Sequence, residues 1–350
     1  MPALRYILIN ISQYKIVKYM KITTAFPFYF LFAIYYFFTT SISFADEWGL
    51  GEQLVEGGKS DTIILHYDGK TWDSVYHGYS VWLNGIFGFN DNDIFAIGGQ
   101  GIILHYDGKS WTKQESPVKC RLNRIWGSSH NNIYISGDYG TILHYDGIEW
   151  KKQEIGTNIW LSSIWGLNEK YIFVVGTLGK ILHYDGEKWR EQSSGTINWL
   201  YGIRGCNKNT VYAVGDYGTI LHYNGKVWNK SIQSTNKRLM SVWVADSKNI
   251  FVVGADGIIL YYNGVKWTQQ LSGSKNWLRR IWGFDTNNIF AVGDCGTIIY
   301  YDGTKWNKQK SGTNYLLLSI WGNRKDNVYV VGIDPNDHYD QRLDVSSEKN

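Results

Sequence analysis

Gly137-Asp138-Tyr139-Gly140-Thr141-Ile142-Leu143-His144-Tyr145-Asp146-Gly147-Ile148-Glu149-Trp150 decides the fold of this chain. Two glycine-bearing turns bracket the β-branched, alternating segment Thr141–Tyr145, which reads as a strand. Asp146-Gly147 is a strong hairpin signal and predicts a type I′ turn, with positive φ at both central residues. Trp150–Glu154 then forms the returning strand. Upstream, Leu122–Gly127 and Ile133–Gly137 are two further apolar segments, separated by the polar turn Ser128–Asn132. Four short strands in about 40 residues are the unit of a β-propeller blade.

The unit repeats without insertion or deletion. The turn Asp recurs as Asp68, Asp107, Asp146, Asp185, Asn224, Asn263 and Asp302, always in steps of 39. Four residues later stands a Trp in all seven copies: Trp72, Trp111, Trp150, Trp189, Trp228, Trp267 and Trp306. An Ile-Trp-Gly-like signature keeps the same step, its middle column being Phe87, Trp126, Trp165, Arg204, Trp243, Trp282 and Trp321. No helical period of useful length follows Ala45.

The ends of the array predict how it closes. It begins with an outer half-blade, Thr62–His77, and finishes with an inner one, Leu317–Gly332. Joining them gives an all-β, seven-bladed propeller of 39-residue four-stranded repeats with no open edge. An open solenoid would need capping repeats at both ends.

Residues 1–45 lie outside this body. Arg5, Lys15, Lys18 and Lys21 precede the apolar run Phe26–Phe38, and Ser43-Phe44-Ala45 offers small residues for cleavage. That order describes a secretory signal peptide, with Met20 as an alternative start. The rival is an uncleaved membrane anchor, for which the 13 apolar residues fall short of the roughly 20 a spanning helix needs. Residues 46–61 then form a linker, 62–332 the propeller, and 333–350 a tail expected to be disordered. Its Asp334, Asp337, Asp340 and Asp344 fit no calcium loop.

The leader holds four basic and no acidic residues, so the formal charge of +4 belongs to it and the remaining chain balances at 31 against 31. A neutral body offers nothing to nucleic acid or an anionic membrane, leaving the leader, if uncleaved, as the only membrane contact. Cys120, Cys206 and Cys295 show no disulfide framework, and at most one pair bridges.

The phrase of an apolar pair, Val-Gly-Asp-x-Gly, a strand and Tyr-Asp-Gly-x-x-Trp resembles the Asp-box (bacterial neuraminidase) repeat. It is similar, more closely, to the repeats of photosystem II assembly and stability factors. The resemblance spans 62–332 and implies the propeller fold, with the Asp-Gly hairpin between third and fourth strands. Three features depart from the Asp box: His or Tyr replaces its Ser, the Thr or Ser just before its Trp varies here from Thr71 and Ser110 to Glu149, Lys188, Val227, Lys266 and Lys305, and the step from Asp to Trp is one residue shorter. Such propellers host many functions, so the resemblance implies none.

Both Trp-rich columns are expected in the core. The column His66, His105, His144, His183, His222, Tyr261 and Tyr300 is expected on a strand surface. Its members sit on different blades about 10 Å apart, so they cannot share a zinc ion whose ligands stand about 2.0–2.1 Å away. No metal or cofactor is expected.

A third column marks the link from each fourth strand into the next blade: Trp82, Arg121, Trp160, Trp199, Arg238, Trp277 and Leu316. The loop between second and third strands, expected on the same face, supplies Asp138, Tyr139, Asp216, Tyr217, Asp256 and Asp294. Aromatic and Arg side chains beside carboxylates suit a peptide anchor or a sugar, although the same Trp could simply seal blade joints. The regular step leaves no long loop for chemistry. The expectation is therefore a non-catalytic, monomeric scaffold of the cell envelope or exterior (periplasmic or secreted), binding a protein partner through this rim. The alternative is a multivalent glycan-binding lectin. A sialidase-like glycosidase is less favoured, because the scattered arginines and the lack of a unique carboxylate pair do not build its site.

Overall fold

The computed structural model describes residues 62–78, 82–231 and 235–336. The expected leader, the linker and most of the tail lie outside them. The described chain forms seven four-stranded antiparallel sheets. Blades 1 to 6 comprise residues 83–113, 122–152, 161–192, 200–230, 239–270 and 278–309. Blade 7 is composite, its strand order being Trp72–Gly78, Thr62–Tyr67, Asn327–Ile333 and Leu316–Arg324. Thr62–Tyr67 pairs along its whole length with Asn327–Ile333, so the outer half-blade does close on the inner one.

Blade 2 illustrates the unit, with strands Leu122–Ser129, Asn132–Gly137, Thr141–Tyr145 and Trp150–Lys152. The first two strands are longer than the sequence suggests and the fourth is shorter. The Asp-Gly hairpin is not the expected type I′ turn. Tyr145 pairs with Trp150, leaving a four-residue loop in which Gly147 alone has positive φ, 92°. The Asp146 carboxylate instead accepts the N–H groups of Ile148 and Glu149, both at 3.0 Å. Asn224 and Asn263 accept the same pair of N–H groups through their side-chain oxygens, which is why Asn substitutes here.

The two Trp-rich columns join blades to one another. In the inner column, Trp126, Trp165, Trp243 and Trp321 each lie against the glycine that follows the inner-column residue of the next blade. A Cβ on Gly166 would sit 2.4 Å from Trp126, and one on Gly205 2.7 Å from Trp165. In the outer column, the Trp150 indole donates to Gln114 of the preceding blade at 2.8 Å, and Trp228 and Trp306 do the same to Gln192 and Gln270. A Trp buries about 150–250 Å², worth roughly 4–6 kcal/mol each at about 25 cal/mol per Å².

The His/Tyr column is half-buried, not simply superficial. His66, His105, His144, His183 and His222 each stack on an aromatic residue of the neighbouring strand at 4.3–4.6 Å. Tyr261 and Tyr300 cover Phe251 and Phe290 in the same way. A planar ring that is also polar at its edge is what the position selects, so His and Tyr interchange. All three cysteines are free. Among the described residues, no group of three or more His, Cys, Asp or Glu could hold a metal ion, and no helix is long and apolar enough to cross a membrane.

Candidate functional site at the mouth of the channel

Two backbone features place side chains around one mouth of the central channel. The first is a hydrogen bond from the turn after each second strand to the carbonyl of the third-column residue. Asp138 N–H donates to Arg121 O at 2.9 Å, Asp216 to Trp199 at 2.9 Å, and Asp294 to Trp277 at 3.0 Å. The link and the turn therefore do share a face. In these turns the central residue is left-handed, with Tyr139 at φ 54° and Tyr217 at 53°. The following glycine is obligatory: a Cβ on Gly140 would fall 1.8 Å from Thr157 O.

The second feature is a bulge near the start of every innermost strand. In blade 2, Leu122 pairs with Gly137 and Arg124 with Ser136, leaving Asn123 as the extra residue. The equivalent residues Ser162, Tyr201, Met240 and Arg279 are skipped in their ladders in the same manner. Bulges re-aim side chains, and here they turn one residue per blade toward the mouth.

Together these residues line a basin of about 840 Å³, its open mouth included. Arg121, Trp160, Trp199, Arg238 and Trp277 of the third column all contribute, as do the bulge residues Asn123, Ser162, Tyr201, Met240 and Arg279. Trp160 and Trp199 lie 5.7 Å apart, and Trp199 stacks on Tyr201 at 4.9 Å. The Trp199 indole N–H donates to Ser162 Oγ at 2.6 Å. Arg238 lies over Tyr201 at 5.3 Å and Trp277 at 5.5 Å, and Arg279 shares Trp277, also at 5.5 Å.

The three turn carboxylates hold the arginines. Arg238 Nε donates to Asp216 at 2.6 Å, and Tyr201 Oη donates to the other oxygen at 3.1 Å. Arg279 makes a two-pronged pair with Asp294. Arg121 Nε lies 3.4 Å from Asp138, which also accepts from Asn123 at 2.9 Å. These pairs are 12–22% exposed at their side chains. The arginines are thus fixed in place while their faces stay against aromatic rings.

Not every expected residue joins the basin. Trp82 stays outside it, bonded through its carbonyl to Gly99 at 2.7 Å. Tyr139 and Tyr217 project from the turn tips, 60% and 69% exposed, beside the basin but not within it. The bulge residues were not singled out from the sequence. Their one signal is a column that varies more than its neighbours, reading Asn84, Asn123, Ser162, Tyr201, Met240, Arg279 and Leu318.

Fold and site together define a seven-bladed β-propeller with an asymmetric basin of Trp, Tyr and Arg at one channel mouth. No protein-family profile matches the chain, and no curated protein matches it. Solved structures do. YCF48 from Cyanidioschyzon merolae is 15% identical at a TM-score of 0.62, over 76% of this chain and 99% of that one. YCF48 bound to D1 peptide is 13% identical at 0.60, over 77% and 96%. The extracellular domain of the putative one-component system BT4673 from B. thetaiotaomicron is 15% identical at 0.61, over 75% of this chain and 39% of that one. At these identities the likeness is one of fold.

Proposed function

We propose that this propeller is a non-catalytic binding scaffold that takes a peptide segment of a protein partner into the basin. The observation that carries this is the aromatic cluster Trp160–Trp199–Tyr201, flanked by arginines already tied to Asp216 and Asp294. Trp, Tyr and Arg are the residues that dominate protein-interface energetics. Arginines fixed by carboxylates lose little further freedom on binding, which lowers the ordering cost of association. One structural neighbour is a propeller bound to a peptide, which agrees with this reading.

The glycan alternative draws less support from the same geometry. A multivalent lectin needs near-equivalent sites, yet the third column mixes Trp, Arg and Leu and feeds one basin. The carboxylates that would accept sugar hydroxyls are occupied by arginine. Export through the 1–45 leader is part of the proposal and places the basin outside the cytoplasm.

The test is selection of peptides from a display library on the full chain, followed by affinity measurement on a W160A/W199A variant. Peptides weakened tenfold or more by the double substitution support the basin. Failure to enrich peptides, or enriched peptides indifferent to the substitutions, would overturn it. Saturable binding on a parallel glycan array would replace this reading with the lectin.

A further inference from the structure

Three side chains that the basin leaves unused stand at its edge in a backbone conformation that does not favour them. Blades 1 to 6 each turn from the second strand to the third through one non-glycine residue with φ of 53–56°. Gln100, Asp256 and Cys295 fill this position in blades 1, 5 and 6, and Tyr139, Leu178 and Tyr217 fill it in blades 2, 3 and 4. The left-handed region suits Gly, Asn and Asp, and a bulky side chain there is uncommon. The turn itself asks for nothing apolar, since Asp256 makes the same turn. Packing does not account for the choice either: Leu178 is 70% exposed, as open as the two tyrosines. Strain kept at bulky, exposed tips points to a contact outside the chain.

The three tips belong to one arc. Thr177 N–H of the Leu178 turn donates to Trp160 O at 3.0 Å, as Asp216 N–H of the Tyr217 turn does to Trp199 O. Leu178 and Tyr217 therefore rise from the two links that carry the aromatic wall of the basin. On its other side the Leu178 turn abuts the next link: a Cβ on Gly179 would fall 2.0 Å from Thr196 O, beside Ile197, which is 82% exposed. The same place in the other links holds Ser80, Lys119, Asn158, Asn236, Lys275 and Asn314, so the one apolar residue of that column stands between Leu178 and Tyr217. Residues 155–160, 177–179 and 193–199 include no charged side chain, whereas the tip of blade 5 is Asp256, paired with Lys237 at 3.1 Å. Apolar and charged groups thus divide the face by sector, and an exposed apolar sector of this kind marks an interaction site.

We propose that Tyr139, Leu178, Ile197 and Tyr217 form a second contact surface for the partner, which receives an uncharged, apolar stretch of the same polypeptide whose neighbouring segment sits in the basin. This rests on the peptide reading of the basin and extends it outward over blades 2 to 4. Continuity carries it: the arc stands on the backbone that holds Trp160 and Trp199, so a segment leaving the basin along that wall runs onto it. Asn158 is exposed on the link between Tyr139 and Leu178. A polypeptide backbone can take its amide hydrogen bonds, whereas the hydrocarbon of a membrane would leave them unmade. The tyrosines add large contact area with few rotatable bonds. Their turns are also fixed on the far side, by Gly140 N–H to Ile159 O at 2.6 Å and Gly218 N–H to Lys237 O at 2.9 Å, so the tips are held ready for contact.

The test selects binders to the full chain from a display library of random peptides about 20 residues long, which reach about 65–70 Å when extended. Affinities of the selected peptides are then compared on W160A/W199A and on Y139N/L178N/Y217N. Asn is at ease in the left-handed turn, so the second variant should fold with a Tm at or above that of wild type. It should weaken the peptides about tenfold, and peptides shortened to the basin segment should no longer distinguish it from wild type. Peptides weakened by W160A/W199A alone would overturn the arc and leave the basin standing. Peptides sensitive to the tips alone would overturn the union of the two surfaces, and failure to enrich peptides, or indifference to both variants, would overturn both. A Tm several degrees below wild type in Y139N/L178N/Y217N would make the tips structural. Tip-dependent flotation with vesicles of phosphatidylcholine and phosphatidylglycerol would replace the partner by a lipid surface, and a dimer lost in the variant would replace it by a second copy of the chain.

Discussion

Arg238 of blade 5 holds Asp216 of blade 4, Nε to Oδ1 at 2.6 Å, and so ties two blades together at the rim of the basin. Both side chains are nearly buried, 17% and 16% exposed. Such a pair falls between the exposed kind, worth about 0–1 kcal/mol, and the buried kind, whose breakage costs about 3–5 kcal/mol. R238M should therefore destabilise by about 2 kcal/mol, leaving a carboxylate held by Tyr201 alone. D216N, which keeps an acceptor, should cost less. A double-mutant cycle read by urea unfolding measures the coupling, and a coupling near zero would make the pair incidental to the junction.

The pair also shows how far the sequence could lead. A 39-residue step with Trp and Asp-Gly in fixed columns determines strand number, blade number and closure, because those depend on repetition alone. Arg238 and Asp216 were identifiable for the same reason, each falling in a column that the 39-residue step places at the link or at the turn of every blade. Tyr201 and Arg279 were not. They lie on bulges, where the period-two alternation breaks and a side chain turns to a face that strand periodicity assigns to its neighbour. The turn at Asp146 escaped for a similar reason: the dipeptide suggests a two-residue turn, while the structure spends its carboxylate closing a four-residue one.

A compensation within the chain yields a second expectation. Blade 4 carries Arg204 where most blades carry Trp, and blade 5 carries Val244 where the other blades carry the glycine that accommodates that Trp. R204W alone should overpack against Val244 and cost about 1–3 kcal/mol. Adding V244G should return most of that loss. The measurement is a double-mutant cycle on unfolding free energy, with an expected coupling of 1 kcal/mol or more. Additive effects would show that Val244 does not occupy the wedge.

The stacked histidines set a pH dependence. Burial lowers the pKa of His144, His183 and His222 below 6.5. The unfolded chain then takes up protons at a pH where the folded chain does not. The stability these residues contribute is complete above about pH 6.5 and falls as the pH drops from there toward the folded values. Replacing all three by Tyr, which fills the column at Tyr261 and Tyr300, should flatten Tm between pH 7.5 and 5. An unchanged slope would assign the effect to other groups. The turn carboxylates Asp146, Asp185 and Asp302 act in a separate window, since N–H and side-chain donors lower their pKa and their contribution disappears only below about pH 4.

Two tryptophans of the outer column should separate by their hydrogen bonds. Trp228 Nε1 donates to Gln192 of the preceding blade at 2.8 Å, and its ring packs edge-on against Phe173 at 5.6 Å. Trp189 packs edge-on against Tyr134 and tilted against Tyr184, but its buried Nε1 has no hydrogen-bond partner among the described residues. Phe keeps most of the ring and removes the donor. W228F should then lose the bond and strand the Gln192 carbonyl, costing about 1–2 kcal/mol on top of the smaller ring. W189F removes a donor that was unsatisfied, so the gain offsets the lost ring area and the change should be near neutral. W228A and W189A should both cost about 3–5 kcal/mol, because both then leave cavities between blades. Equal losses for the two Phe variants would mean that ring volume alone holds the outer hairpins, and that the bonds to the preceding blade contribute nothing to closing the ring.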